Sequence, residues 1–188
     1  MLNYKNKQRL PNHFYMNLVS IQGKYASGYH LTGEKLQIAH QLMKGLSDHN
    51  YLIISSKFRS DILYSSLHEK NDTIIKLWCW YMDKDFVNIE YKKFFRAYND
   101  EDCIIHFFNR LVLLKQYTPW FDAYVSTLHS VIETQENDIS QILKDCIKTL
   151  PISEIEEIRN SNIEVMNQPE AMDLQTIVTR ALSKRSLN

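Results

Sequence analysis

From Gly33 onward, apolar residues recur three and four positions apart, the spacing of one face of an α-helix. Residues 33–47 place Leu36, Ala39, Leu42, Met43 and Leu46 on one side, and residues 56–69 do the same with Phe58, Ile62, Leu63 and Leu67. Further stripes run through 72–82 (Ile74, Ile75, Trp78, Tyr81, Met82), 86–98 (Tyr91, Phe94, Phe95, Tyr98) and 101–115 (Ile104, Ile105, Phe107, Phe108, Leu111). Long candidates follow at 119–134 and 138–150, and a short one lies near 13–22. A last helix, 169–184, puts Leu174, Ile177, Val178, Ala181 and Leu182 on one stripe. Tyr51-Leu52-Ile53-Ile54 has no helical period and fits either a short extended piece or the start of the 56–69 element.

The junctions agree with this reading. Asn-Asp recurs at 71–72, 99–100 and 137–138. Asn tolerates the left-handed conformation that ends a helix, and Asp accepts hydrogen bonds from the free N–H groups that begin the next. Thr118-Pro119 joins an N-cap hydroxyl to a proline in the first turn, and Ser153-Glu154-Ile155-Glu156 has the spacing of a capping box. The expectation is an all-α fold, a single-domain irregular bundle of about seven to nine helices, with a short α-solenoid as the alternative. Its parts are a basic N-terminal segment (1–31), a helical core (32–159), a polar linker (160–168) and a C-terminal amphipathic helix (169–188).

Glycine usage narrows the function classes. All four glycines of the 188 residues (Gly23, Gly28, Gly33, Gly45) fall in the first quarter. None has the spacing of a phosphate-binding loop, a dinucleotide fingerprint or a nucleophile elbow, where backbone must approach a ligand or turn sharply. Glycine scarcity also argues against a sheet built on tight hairpins. No apolar run approaches the length of a membrane span; the longest, Ile104–Leu114, is interrupted by His106, Asn109 and Arg110. Cys79, Cys103 and Cys146 are widely spaced and odd in number, which reads as reduced thiols in a cytoplasmic protein.

A net charge of zero hides an asymmetry. Residues 1–100 carry 14 basic and 9 acidic side chains, and residues 101–188 carry 8 and 13. Lys5, Lys7 and Arg9 open the chain without an acid beside them, a pattern suited to an acidic partner or to nucleic acid. Abundant Lys, Asn and Ile beside few Ala suggest an AT-rich bacterial or viral genome.

Histidine supplies the remaining candidate chemistry. His106 stands four residues from both Asp102 and Arg110 and three from Cys103, and His129 stands four from Glu133. Neither forms His-Glu-x-x-His or a repeated Glu-x-x-His, so His106 is expected to be a structural histidine bonded to Asp102, with no metal and no cofactor. Trp78 and Trp80 lie about 200° apart around a helix, so that segment is buried on all sides or holds a partner. These features predict a non-enzymatic protein–protein interaction module: a cytosolic adaptor, chaperone or regulatory subunit. Its partner surface would use Leu174, Ile177, Val178, Ala181 and Leu182, with Lys5, Lys7 and Arg9 at the other end. The alternatives are a small helical DNA-binding regulator using the basic N-terminal third and an enzyme with a dispersed helical site.

Overall fold

A computed structural model describes residues 14–47, 49–149 and Leu182. Five expected helices stand within a residue or two of their predicted bounds: α1 (Gly33–Leu46), α2 (Asn71–Tyr81), α4 (Asp100–Leu114), α5 (Thr118–Thr134) and α6 (Asp138–Thr149). The fold class differs. Four segments form an antiparallel sheet, β1 (Tyr15–Gln22), β2 (Tyr51–Ser55), β3 (Arg59–Ser66) and β4 (Phe95–Tyr98), in the order β2-β3-β1-β4. The described chain is 59% helical and 19% strand, a mixed α/β protein and neither an all-α bundle nor a solenoid. The 13–22 candidate is the inner strand β1, and 51–54 is the edge strand β2. The 56–69 stripe is β3, and the 86–98 helix shrinks to the single turn α3 (Asn88–Tyr91) ahead of β4.

Helices cover both faces of this sheet, which explains why β1, β2 and β3 lack an exposed side, while β4 keeps Arg96 and Tyr98 in solvent. Met16, Leu18, Leu52, Ile54, Leu63 and Ala97 point from one face into a core completed by α4, α5 and α6. Val19, Ile21, Ile53, Ile62 and Tyr64 point from the other into a core with α1, α2, Leu31 and Tyr29 of a 3₁₀ helix (Gly23–Tyr29). Every residue of β3 is buried. At roughly 1.5–3 kcal/mol per fully buried aliphatic side chain, these paired layers outweigh any local helical preference of the segment.

The scarcity of glycine is accommodated because tight turns are few. Among the described residues, β2 and β3 alone are joined directly by a short hairpin loop, Ser56-Lys57-Phe58, and none of the three takes a positive φ. Ser56 closes it, its N–H donating to the Arg59 carbonyl at 2.8 Å and its hydroxyl accepting from the Arg59 N–H at 3.3 Å. The other strands are linked through helices. Asn99, at φ +81°, ends β4 and caps α4, its side chain accepting from the Asp102 N–H at 2.9 Å. Asn137 does the same for the Ser140 N–H, so asparagine supplies a cap at both junctions.

The expected linker 160–168 lies outside the described residues, as do all of 1–31 before Phe14 and all of the terminal helix except Leu182. No described helix is long and apolar enough to cross a membrane.

Candidate functional site

The outer face of α2 carries an apolar surface. Asp72, Lys76 and Trp80 fall on one side of this helix at steps of four residues, while Trp78, two positions from Trp80, is buried in the core. After α2 the chain turns through Asp83, at φ +55°, and returns along the same face. Phe86 lies under the Lys76 ammonium at 5.3 Å and packs edge-on against Tyr91, whose hydroxyl donates to Asp72. Trp80 of α2 (70% exposed) and Phe86, Val87 and Ile89 (72%) of the return all stand in solvent.

The backing of the surface is firmly held. Glu90 of α3 accepts hydrogen bonds from the Tyr29 hydroxyl and the Lys93 ammonium. Those two bonds hold its carboxyl below the ordinary carboxylate value. Burial, followed by the bond to Glu90, pushes the Tyr29 phenol far above its usual range, so it remains a donor. Tyr29 packs edge-on against Phe94 at 4.9 Å, and its carbonyl accepts from the Trp78 indole N–H at 3.0 Å. Cys79 lies 4.0 Å from the Tyr29 hydroxyl, with burial raising its thiol above the ordinary value, which leaves it a poor nucleophile. The cluster fixes α3 to α2 and the 3₁₀ helix and has the character of a brace.

The opposite face of the sheet holds a second polar group. Arg59 and Asp61, two residues apart on β3, share the side facing α4 and α5. The guanidinium donates to the Phe107 carbonyl at 2.9 Å and lies over the rings of Phe107 and Tyr124, at 4.8 Å and 4.6 Å. Tyr124 donates to the same Asp61 oxygen that pairs with Arg59. Burial opposes the Arg59 charge, but Asp61 outweighs it and the guanidinium titrates above its ordinary value. Asp61 Oδ1, Arg59 Nη1 and the Ser20 hydroxyl, whose residue is the register partner of Asp61, are buried without hydrogen-bond partners.

The residues singled out in the sequence divide. His106 is half-buried with its ring 4.8 Å from that of Phe95, and Asp102 is engaged instead with Asn99 at the helix cap, so the expected His106–Asp102 bond is not formed. His129 is exposed. Cys79, Cys103 and Cys146 are buried free thiols, the last two pushed upward by burial, Cys146 to about 12. Among the described residues, no three His, Cys, Asp or Glu side chains gather as metal ligands would. Leu182 is helical, half-buried and packed against the core under α4–α6. Leu174, Ile177, Val178, Ala181, Lys5, Lys7 and Arg9 lie outside the described residues.

Sequence reasoning missed Phe86, Val87 and Ile89 because it placed them at the start of a long helix. A usable sign was present: Trp78 and Trp80, about 200° apart, cannot both face one core. In comparisons with known proteins, no protein family and no curated protein matches the chain.

Proposed function

We propose that the protein is a non-enzymatic interaction module, an adaptor or regulatory subunit, that binds a protein partner through the outer face of α2 and the segment 86–89. The observation that carries this reading is the exposure of Trp80 on α2 and of Ile89 on α3, 70% and 72%, with α3 held in place by the Tyr29–Glu90–Lys93 bonds. Scattered exposed apolar residues are ordinary, but Trp80, Phe86, Val87 and Ile89 stand in solvent within ten residues of chain, with the Lys76 ammonium over Phe86, and an interface with an apolar centre and a polar rim draws on such residues. Trp80 is the expected anchor, since tryptophan buries the most area per side chain and dominates measured binding energies. Buried, unpaired thiols support a reducing, cytoplasmic compartment.

The test is a Trp80→Ala, Ile89→Asp double variant. Both side chains stand in solvent, so thermal stability should change by no more than about 0.5 kcal/mol per site. Affinity purification from the native host should lose a specific partner that the parent chain retains. An unchanged set of co-purified proteins overturns the reading.

A further inference from the structure

On the α4–α5 side of the molecule, away from the α2 surface, lies a cleft of about 330 Å³. One wall is a pile of three rings. Trp120 stacks on Phe58 of the β2–β3 hairpin at 3.8 Å and 12°, and on Tyr117 at 4.8 Å and 21°. Tyr117 forms the outer end of the pile and is 52% exposed. The facing wall is the 3₁₀ helix. Gly23, at φ +71°, turns the chain out of β1, and its N–H donates to the Phe58 carbonyl at 2.9 Å, which locks this helix to the hairpin opposite. Residues three apart in a 3₁₀ helix eclipse one another, so Lys24 and Ser27 both border the cleft, the exposed Lys24 ammonium resting 5.1 Å over the Tyr25 ring and free to swing to a ligand. Gln22, the last residue of β1, lines the cleft; its amide oxygen has neither a hydrogen-bond partner nor solvent contact, so the amide turns outward to meet a ligand.

Each wall asks for a different part of one ligand. The ring pile suits a flat π-system, since stacking on an aromatic side chain accepts any base-like ring. A primary amide lining the cleft can accept from an exocyclic amine and donate to a neighbouring ring nitrogen, the pattern that adenine presents. An ammonium and a hydroxyl bordering the same cleft suit a phosphate. The volume is at the lower end of the range for small-molecule sites, which fits one nucleotide and excludes a dinucleotide.

We propose that this cleft binds an adenine nucleotide, free or as the end of a single strand, with the base on the Phe58–Trp120–Tyr117 pile, its amino edge on Gln22 and its phosphate on Lys24 and Ser27. Recognition by side chains needs no glycine-rich loop. It is independent of the α2 surface and stands or falls separately from it.

Calorimetric titration of the full-length protein with AMP, GMP, adenosine and a five-nucleotide oligoadenylate tests the assignment. AMP should bind in the micromolar range, with GMP and adenosine each weaker by about tenfold or more. Tighter binding of AMP than of the oligonucleotide assigns the cleft to free nucleotide, and the reverse assigns it to strand ends; either supports the site. Lys24→Ala and Tyr117→Ala, both at exposed positions that leave the fold intact, should weaken AMP binding by about tenfold each. Gln22→Leu should remove the preference of AMP over GMP. The Trp80→Ala, Ile89→Asp variant should bind AMP as the parent does. No heat from AMP or the oligonucleotide, or binding indifferent to Lys24, Tyr117 and Gln22, overturns the proposal.

Discussion

Arg59 and Asp61 meet at 2.7 Å with neither side chain touching solvent. Residues i and i+2 of a strand project from the same face, so the pair is set by the pleat of β3 and needs no turn or cap to assemble. What fixes it in the core is the sandwich of the guanidinium between Phe107 and Tyr124 and the bond to the Phe107 carbonyl.

Removing one member should therefore cost far more than removing both. Asp61→Asn keeps the shape but leaves the Arg59 charge buried without its counter-ion, an expected loss of about 3–5 kcal/mol. The double variant Arg59→Met, Asp61→Leu removes both charges and fills similar volume, and it should stand within about 1 kcal/mol of the parent. Urea unfolding followed by circular dichroism measures all three. A double variant as unstable as Asp61→Asn would show that the pair supplies net stability in itself.

Two histidines give the native state a dependence on pH. Burial, followed by the charge of Lys57, holds His30 below the ordinary value of 6.5, and burial with Lys44 does the same for His40. The native chain keeps both neutral where the unfolded chain already takes up protons. Stability is thus fully present above about pH 6.5 and declines as the pH falls through that value toward the depressed native ones. Glu90, held below the ordinary 4.5 by its bonds from Lys93 and Tyr29, adds a second decline at lower pH as it is protonated. Melting temperature recorded from about pH 7 to about pH 5 should fall, and His30→Gln with His40→Gln should flatten that limb. A flat profile in the parent contradicts the assignment.

Leu182 packs against the core under α4–α6, which ties the C-terminal stripe to the protein's own body at that point. Leu182→Asp would set a carboxylate against apolar side chains and should lower stability by about 2 kcal/mol, or about 4–8 °C in Tm. Unchanged melting together with loss of self-association or of a co-purified partner would instead assign the stripe of Leu174, Ile177, Val178, Ala181 and Leu182 to an interface.

Helices whose apolar stripe meets one core were legible in the sequence, because spacing is a local property, and α1, α2, α4, α5 and α6 are of this kind. Capping was legible only at Asn99 and Asn137; Thr32, Lys70 and Tyr117 make no side-chain cap bond ahead of α1, α2 and α5, and the expected cap Thr118 is the first residue of α5 itself. Asn99 and Asn137 also marked real boundaries, although Asn99 ends a strand and not a helix. The sheet was decided only by the tertiary structure. A strand covered on one face alternates apolar and polar residues, but β1 and β3 are covered on both, and that alternation vanishes. Worse, Arg59, Asp61 and Ser20 face inward, so their polar character is no sign of solvent; Asp61 accepts from a residue as far away in sequence as Tyr124. Phe94 and Phe95 show the same effect at one peptide bond. As neighbours in an extended chain they enter opposite cores, Phe94 beside Tyr29 and Trp78, Phe95 against the layer of α4, where a helical reading makes them one stripe. The candidate surfaces follow the same division. The angle between Trp78 and Trp80 was legible in the sequence, whereas the cleft joins Gln22, Phe58 and Trp120, residues from three elements that only the packing of β1, the β2–β3 hairpin and α5 brings together.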